Sequence, residues 1–287
     1  MNKFSIAGLL VGLTFAVPHA HAQVAQLRGS DTLFDVVGDS INQSGLQTEL
    51  QYLGGGSGLG ETGLRTGTQG IAPMSRALNN AAIIDLQNQG VTPVQHVIGL
   101  DGVSLFVRST NTTLTRIDIP TLRSIYTCQI TNWSNVPNSG GKTGVINAFR
   151  RNDASGTTDT FKTLVGITTF GACVTVVNTT QDISTATATD ANAIGYAGLS
   201  GEVAGNKPLA VSRTLTSTAV APTAATIRAF SYPLARRLFL NTVADGRFPS
   251  DAEQALLDVM LDRSFLDPIL TAREFITCPP VSAGGCP

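Results

Sequence analysis

Three short segments of this 287-residue chain carry residue types suited to holding a negatively charged group: Gly29-Ser30-Asp31-Thr32, Gly54-Gly55-Gly56-Ser57-Gly58 and Asp153-Ala154-Ser155-Gly156-Thr157. Each lies where a strand-like apolar run gives way to a helix-like one. At such a junction the first backbone N–H groups of the helix lack a partner and carry partial positive charge, which suits an anion. The Ser and Thr hydroxyls add neutral donors. Taken singly, each segment also fits an ordinary N-cap or turn. Three of them meeting at one point would enclose an oxyanion without a metal.

Other chemistry is harder to build. A Walker A loop requires Gly five residues before the Gly141-Lys142 pair, and Val136 stands there. A nucleophile elbow centred on Ser57 requires Gly where Leu59 stands. Gly58, Gly60 and Gly63 match the dinucleotide spacing, yet the match begins five residues past the preceding strand.

The opening of the chain reads as a secretory signal. Lys3 supplies the positive end, Ile6 to Val17 the apolar stretch and Ala20-His21-Ala22 the cleavage site, so residues 1–22 are expected to be removed. The apolar run is too short to span a bilayer, and a chain that does not cross the membrane is expected. Cleavage takes His19 and His21 with it. A Ser-His-Asp triad would then depend on His96 alone, and multi-histidine zinc sites are excluded; no metal and no cofactor is expected. Cys128, Cys173, Cys278 and Cys286 have no C-x-x-C spacing. In an exported chain they are expected to form two disulfides. Three pairings are formally open; proximity favours Cys278 with Cys286 and therefore Cys128 with Cys173, the longer loop contributing about 4 kcal/mol on the loop-entropy model. With 19 Lys and Arg against 20 Asp and Glu, a net charge of −1 and no basic run, a nucleic-acid partner is excluded.

The elements that would position the three segments alternate between strand and helix, which predicts an α/β architecture with mostly parallel sheets. Leu33, Val36, Val37 and Ile41 recur at helical spacing, and Thr48 to Leu53 reads as a strand. Asn80 to Gln89 reads as a helix capped by Asn79 and ended by Gly90. Val94 to Leu100 and Val103 to Arg108 read as two strands flanking Asp101-Gly102. Pro120 opens another helix, and Val145 to Arg150 is strand-like. Ser250-Asp251-Ala252-Glu253 reads as a capping box. The Thr/Ala-rich stretch from Ser212 to Thr226 reads as a long loop.

The segment from Val145 to Phe161, with Arg151, Asp153, Ser155, Gly156, Thr157 and Phe161, resembles the signature R-x-D-x-S-G-T-x-x-x-F of periplasmic phosphate-binding proteins of ABC transporters. The first two segments are similar to that family's other anion loops, and Ser75-Arg76-Ala77-Leu78 to its short S-[DR]-x-L motif. Leu100-Asp101-Gly102-Val103, Ile130-Thr131-Asn132-Trp133, Ile194-Gly195-Tyr196 and Tyr232-Pro233-Leu234 also look like family landmarks. The resemblance implies a two-lobed type II periplasmic binding protein fold with two hinge crossovers, closing around a buried anion. Lobe one would be residues 23–100 plus 231–287, and lobe two residues 101–230. Asp31, Thr32, Ser57 and Arg76 would bind phosphate from lobe one, and Arg151, Ser155, Gly156 and Thr157 from lobe two. Asp153 would hold Arg151 from behind.

One position departs from the family pattern. Where several members carry an Asp that accepts the proton of hydrogen phosphate, this chain has Arg76. Asp31 is the candidate replacement, with Arg76 neutralising the charge beside it; the alternative is that Asp31 only caps the following helix. The implied function is capture of inorganic phosphate in the periplasm and its delivery to an inner-membrane ABC permease by a monomeric binding protein that is not an enzyme. A secreted phosphatase and an anion-sensing or surface protein on the same fold are the alternatives. A phosphatase lacks its usual machinery here, with no metal cluster and no activated nucleophile in the sequence.

Overall fold

The computed structural model describes residues 24–152, 155–201, 203–244, 250–279 and 286; the expected signal segment and Asp153 lie outside them. Strands β1 (Ala25–Gly29), β2 (Leu50–Gly55) and β3 (Ala72–Met74) alternate with helices α1 (Phe34–Gln43), α2 (Ser57–Thr66) and α3 (Asn80–Asn88). The long strand β4 (Pro93–Arg108) follows. After it come β5 (Arg116–Asp118), α4 (Ile119–Tyr126), β6 (Asn147–Arg151), α5 (Gly156–Val165), β7 (Thr175–Val177), α6 (Thr180–Thr189) and β8 (Ala193–Gly198). The chain ends with β9 (Asn206–Pro208), β10 (Ala210–Ser212), α7 (Ala224–Arg228), β11 (Ala235–Val243), α8 (Asp251–Leu261) and α9 (Arg263–Ala272). No described helix is long and apolar enough to cross a membrane.

Most of the buried apolar side chains fall into two large cores, beside two smaller clusters. One core joins Leu27, Val36 and Val37 near the start of the chain to Leu256, Met260 and Ile269 of α8 and α9. The other joins Leu122, Tyr126, Trp133, Phe161 and Tyr196 from the middle of the sequence. Because both ends of the chain share one core and the middle forms the other, the backbone must pass between them twice. Strand β4 makes the outward passage: Ile98 packs in the first core, and Val103, Leu105 and Val107 pack in the second. Strand β11 returns, with Ala235 against the second core and Leu238 and Leu240 in the first.

These two crossing strands explain where the structure departs from the sequence pattern. Asp101-Gly102 does not separate two strands. β4 runs unbroken through it, with Asp101 opposite Arg236 and Gly102 opposite Ala235 in an antiparallel ladder. Gly102 is required for packing rather than for a turn, since a Cβ there would lie 2.6 Å from Ile227 Cδ1. The sheets are mixed, not mostly parallel. β1–β2, β5–β10, β6–β7 and β6–β8 are parallel, whereas every antiparallel strand pair described includes β4 or β11. An outgoing and a returning strand lying side by side cannot be parallel.

Local signals fared unevenly. Ser250 caps α8, but Glu253 does not complete the box; its Oε2 accepts the Gly70 N–H at 2.6 Å, and burial raises its pKa. Asn79 stands at the cap position of α3 without a side-chain cap bond and donates instead to Glu61. Within the expected long loop, Val220 bridges to Val211 and Thr223 caps α7. The disulfides pair Cys128 with Cys173 and Cys278 with Cys286.

Candidate functional site

Strand β1 ends at Gly29, and the chain turns at once into a 3-10 turn, Asp31–Leu33, that leads into α1. Ser30 is the cap, its Oγ accepting the Thr32 N–H at 3.2 Å. The Asp31 carboxylate is therefore free of capping duty. Its Oδ1 accepts the Gly55 N–H at 2.7 Å, and its Oδ2 accepts from Arg151 Nη2 at 2.7 Å. Tyr52 donates to the Ser30 carbonyl at 2.9 Å; burial first, and then the charge of Asp31, hold its pKa well above the ordinary phenol value. It stays a neutral donor beneath the loop.

Strand β2 ends in Gly54 and Gly55, and Gly56 follows at the cap of α2; their φ values of +63°, +96° and +108° lie in a region glycine enters without steric cost. This twist makes Ser57 the first residue of α2 and turns it inward, fully buried. Its Oγ accepts the Ser75 N–H at 3.1 Å and lies 3.4 Å from the Ser75 hydroxyl.

From the other core, β6 ends on Arg151 and α5 begins at Gly156 with Ser155 as its cap. Ser155 Oγ accepts the Thr158 N–H at 3.4 Å, so its own proton remains available to another acceptor. Gly156 lies against Ser57 and Ser75. A Cβ at that position would be 2.8 Å from Ser57 Cβ and would overlap both hydroxyl oxygens. Thr157 Oγ1 lies 2.8 Å from Thr32 Oγ1. Asp31, Thr32, Ser57, Ser155, Gly156, Thr157 and Arg151 are thereby brought to one place, and three helix starts meet there.

Charge at this meeting point is balanced in pairs. Arg151 is 6% exposed, bonds Asp31 across the two cores and reaches Thr180 Oγ1 at 3.4 Å; its Nε has no partner among the described residues. The second pair is Asp101 with Arg236, which the sequence reasoning missed. Arg236 Nε donates to Asp101 Oδ2 at 2.9 Å and Nη2 at 2.5 Å, and Asp101 Oδ1 accepts the Leu199 N–H at 3.2 Å. The available signal was an Asp between two apolar runs and an Arg pair, Arg236-Arg237, at the edge of a third, since a buried charge needs a partner. With both carboxylates matched by guanidinium groups, added negative charge would be met by amide dipoles, helix starts and hydroxyls.

Arg76 does not neutralise Asp31; Arg151 does. Arg76 lies between Glu61 of α2, with Nη1 to Oε2 at 2.7 Å, and Asp159 of α5, with Nε to Oδ2 at 2.8 Å. It ties the two halves together. Its guanidinium is occupied because two carboxylates flank it, one from each side.

The family model described as "PBP superfamily domain" matches residues 16–264. Among solved structures, the chain is similar to a substrate-binding protein with bound phosphate from Clostridium perfringens, with 21% identity and a TM-score of 0.75 over 90% of this chain and 100% of that one. An ABC-type phosphate transport receptor from Vibrio cholerae has 24% identity and a TM-score of 0.70 over 89% and 100% of the two chains. PstS from Borrelia burgdorferi has 23% identity and a TM-score of 0.56 over 90% and 100%. No curated protein sequence matches. At these identities the solved structures speak to the fold, which is the type II periplasmic binding protein fold. The family match over most of its length means that this chain belongs to the PBP superfamily.

Proposed function

We propose that this protein binds inorganic phosphate with high affinity in the periplasm and delivers it to an inner-membrane ABC permease, acting as a monomer and not as an enzyme. The observation that carries the reading is the junction of Asp31, Thr32 and Ser57 with Arg151, Ser155, Gly156 and Thr157, drawn from two separate cores. A tetrahedral anion at that junction would accept from the free helix-start amides and hydroxyls, and Arg151 offers further donors. The division into lobe one, residues 23–100 plus 231–287, and lobe two, residues 101–230, belongs to this reading. The two cores and the paired crossing strands support it, because bending of β4 and β11 would open and close the junction. The phosphate-bound Clostridium perfringens structure and the Vibrio cholerae transport receptor favour the same ligand class.

Asp31 supplies selectivity in this account. Each of its oxygens accepts one donor from the protein and keeps a second lone pair for the proton of hydrogen phosphate. Sulfate has no such proton and would face the carboxylate as a like charge. Calorimetric titration with phosphate, sulfate and arsenate, run beside a phosphomonoester hydrolysis assay, tests the reading. Stoichiometric phosphate binding without turnover is expected. Turnover would move the assignment to a phosphatase, and absence of phosphate binding would end it.

A further inference from the structure

Capture of an anion by the three loops leaves one buried guanidinium without a task. We infer that Arg236 is a positioning residue for the anion, acting through the Thr32 and Thr157 hydroxyls; the inference rests on the phosphate-binding reading. Arg236 is 4% exposed and sits on the returning strand directly opposite Asp101 of the outgoing one. Beyond its bonds to Asp101, Nη1 donates to Thr157 Oγ1 at 3.0 Å and Nη2 to Thr32 Oγ1 at 3.3 Å. It thus reaches the anion loop of each half at once.

Proton accounting gives the consequence. A guanidinium has only donors, and each hydroxyl has one proton and two lone pairs. With a lone pair on both oxygens occupied by Arg236, neither proton can point toward the guanidinium. The hydroxyls lie 2.8 Å apart and share one proton between them. The other proton has no acceptor within this group of four side chains and is left for an acceptor brought from outside. A donor-only residue therefore converts two hydroxyls, each able to donate or accept, into a fixed donor. A bare anion oxygen satisfies it. Asp101 holds Arg236 in this attitude through two bonds to the same oxygen.

The test is a double-mutant cycle read by calorimetric titration with inorganic phosphate. Asp101→Leu/Arg236→Met removes the charge pair together, so that no ion is left alone, and Thr157→Val removes the hydroxyl. Thr157→Val in the parent protein is expected to weaken binding about tenfold or more. In the background lacking the pair, where affinity has already fallen by a similar factor, the same change is expected to cost less than about threefold. Losses that multiply would overturn the inference, because a purely structural Arg236 would not act through Thr157. A parent protein that fails to bind phosphate overturns the functional reading as well. If the double variant lacks cooperative unfolding, Arg236→Lys goes through the same cycle. Its ammonium keeps the pair with Asp101 and cannot span both hydroxyls, so losses that fail to multiply are again expected, and multiplying losses again overturn the inference.

Discussion

Replacement of Gly156 by alanine should separate stability from affinity, with opposite signs. Gly156 is the first residue of α5, and alanine there is favoured over glycine by up to about 1 kcal/mol on helix propensity. With the two loops apart, as the hinge reading requires of the ligand-free protein, unfolding should occur at an equal or slightly higher temperature. Closure is another matter. The new Cβ would stand 2.8 Å from Ser57 Cβ, where ordinary contact begins at 3.4 Å, and Ser57 is fully buried with its Oγ committed to Ser75. Because Ser57 Oγ and Ser75 Oγ lie nearer still to that Cβ, the two loops must part by more than the roughly 0.6 Å that Ser57 Cβ alone demands, which takes short polar contacts off their optimum. The contacts bridging the loops include Thr32 to Thr157 at 2.8 Å and Asp31 to Arg151 at 2.7 Å. If an anion loses two charge-assisted bonds of about 1.5–3 kcal/mol each, binding weakens by about 3 kcal/mol or more, on the order of 100-fold. Calorimetry on Gly156→Ala, with thermal unfolding of the ligand-free form, measures both effects. Phosphate affinity within threefold of the parent would refute the claim that these loops close on the ligand.

Three further outcomes are expected. Asp31→Asn keeps an acceptor for the Gly55 amide while removing the negative charge, and the Ser30 cap is untouched; phosphate-over-sulfate selectivity should fall about tenfold, and competition titrations that find it unchanged discard the acceptor role. Asp159→Asn weakens the tie from Arg76 to α5 but leaves Arg76 paired with Glu61 inside its own half. Phosphate release measured by stopped flow should speed up several-fold, with about 1 kcal/mol or less lost in stability because the pair is partly exposed. Glu253 has a raised folded-state pKa, so the folded form binds more protons than the unfolded one as pH rises past the ordinary glutamate value. Its contribution is a stability loss that sets in above that value and levels off above the raised one; Glu253→Gln should flatten this part of the denaturation profile, and an identical profile in the variant would rule Glu253 out as the cause.

The loop geometry of the candidate site was legible because its signals are local. Glycines, hydroxyls and helix starts at Gly29 to Thr32, Gly54 to Gly58 and Ser155 to Thr157 describe backbone that must expose amides, whatever else the chain does. Arg76 was wrongly expected to neutralise Asp31, because a guanidinium pairs with whichever carboxylates lie nearest and only the tertiary placement of Glu61 and Asp159 decides that. Arg236 went unseen because its partners, Thr32, Asp101 and Thr157, lie between 79 and 204 residues away in sequence.

The sequence by itself determined the helical face of Leu33, Val36, Val37 and Ile41, the disulfide pairing favoured by proximity, and the three loop types, each a property of neighbouring residues and their preferred dihedral angles. Tertiary structure alone decided that Asp101-Gly102 is a passage between cores rather than a turn, and that the sheets are mixed. It also decided that Arg151 rather than Arg76 balances Asp31. These outcomes depend on which segments share a core, and burial is settled by contacts between distant parts of the chain, to which periodicity and spacing are blind.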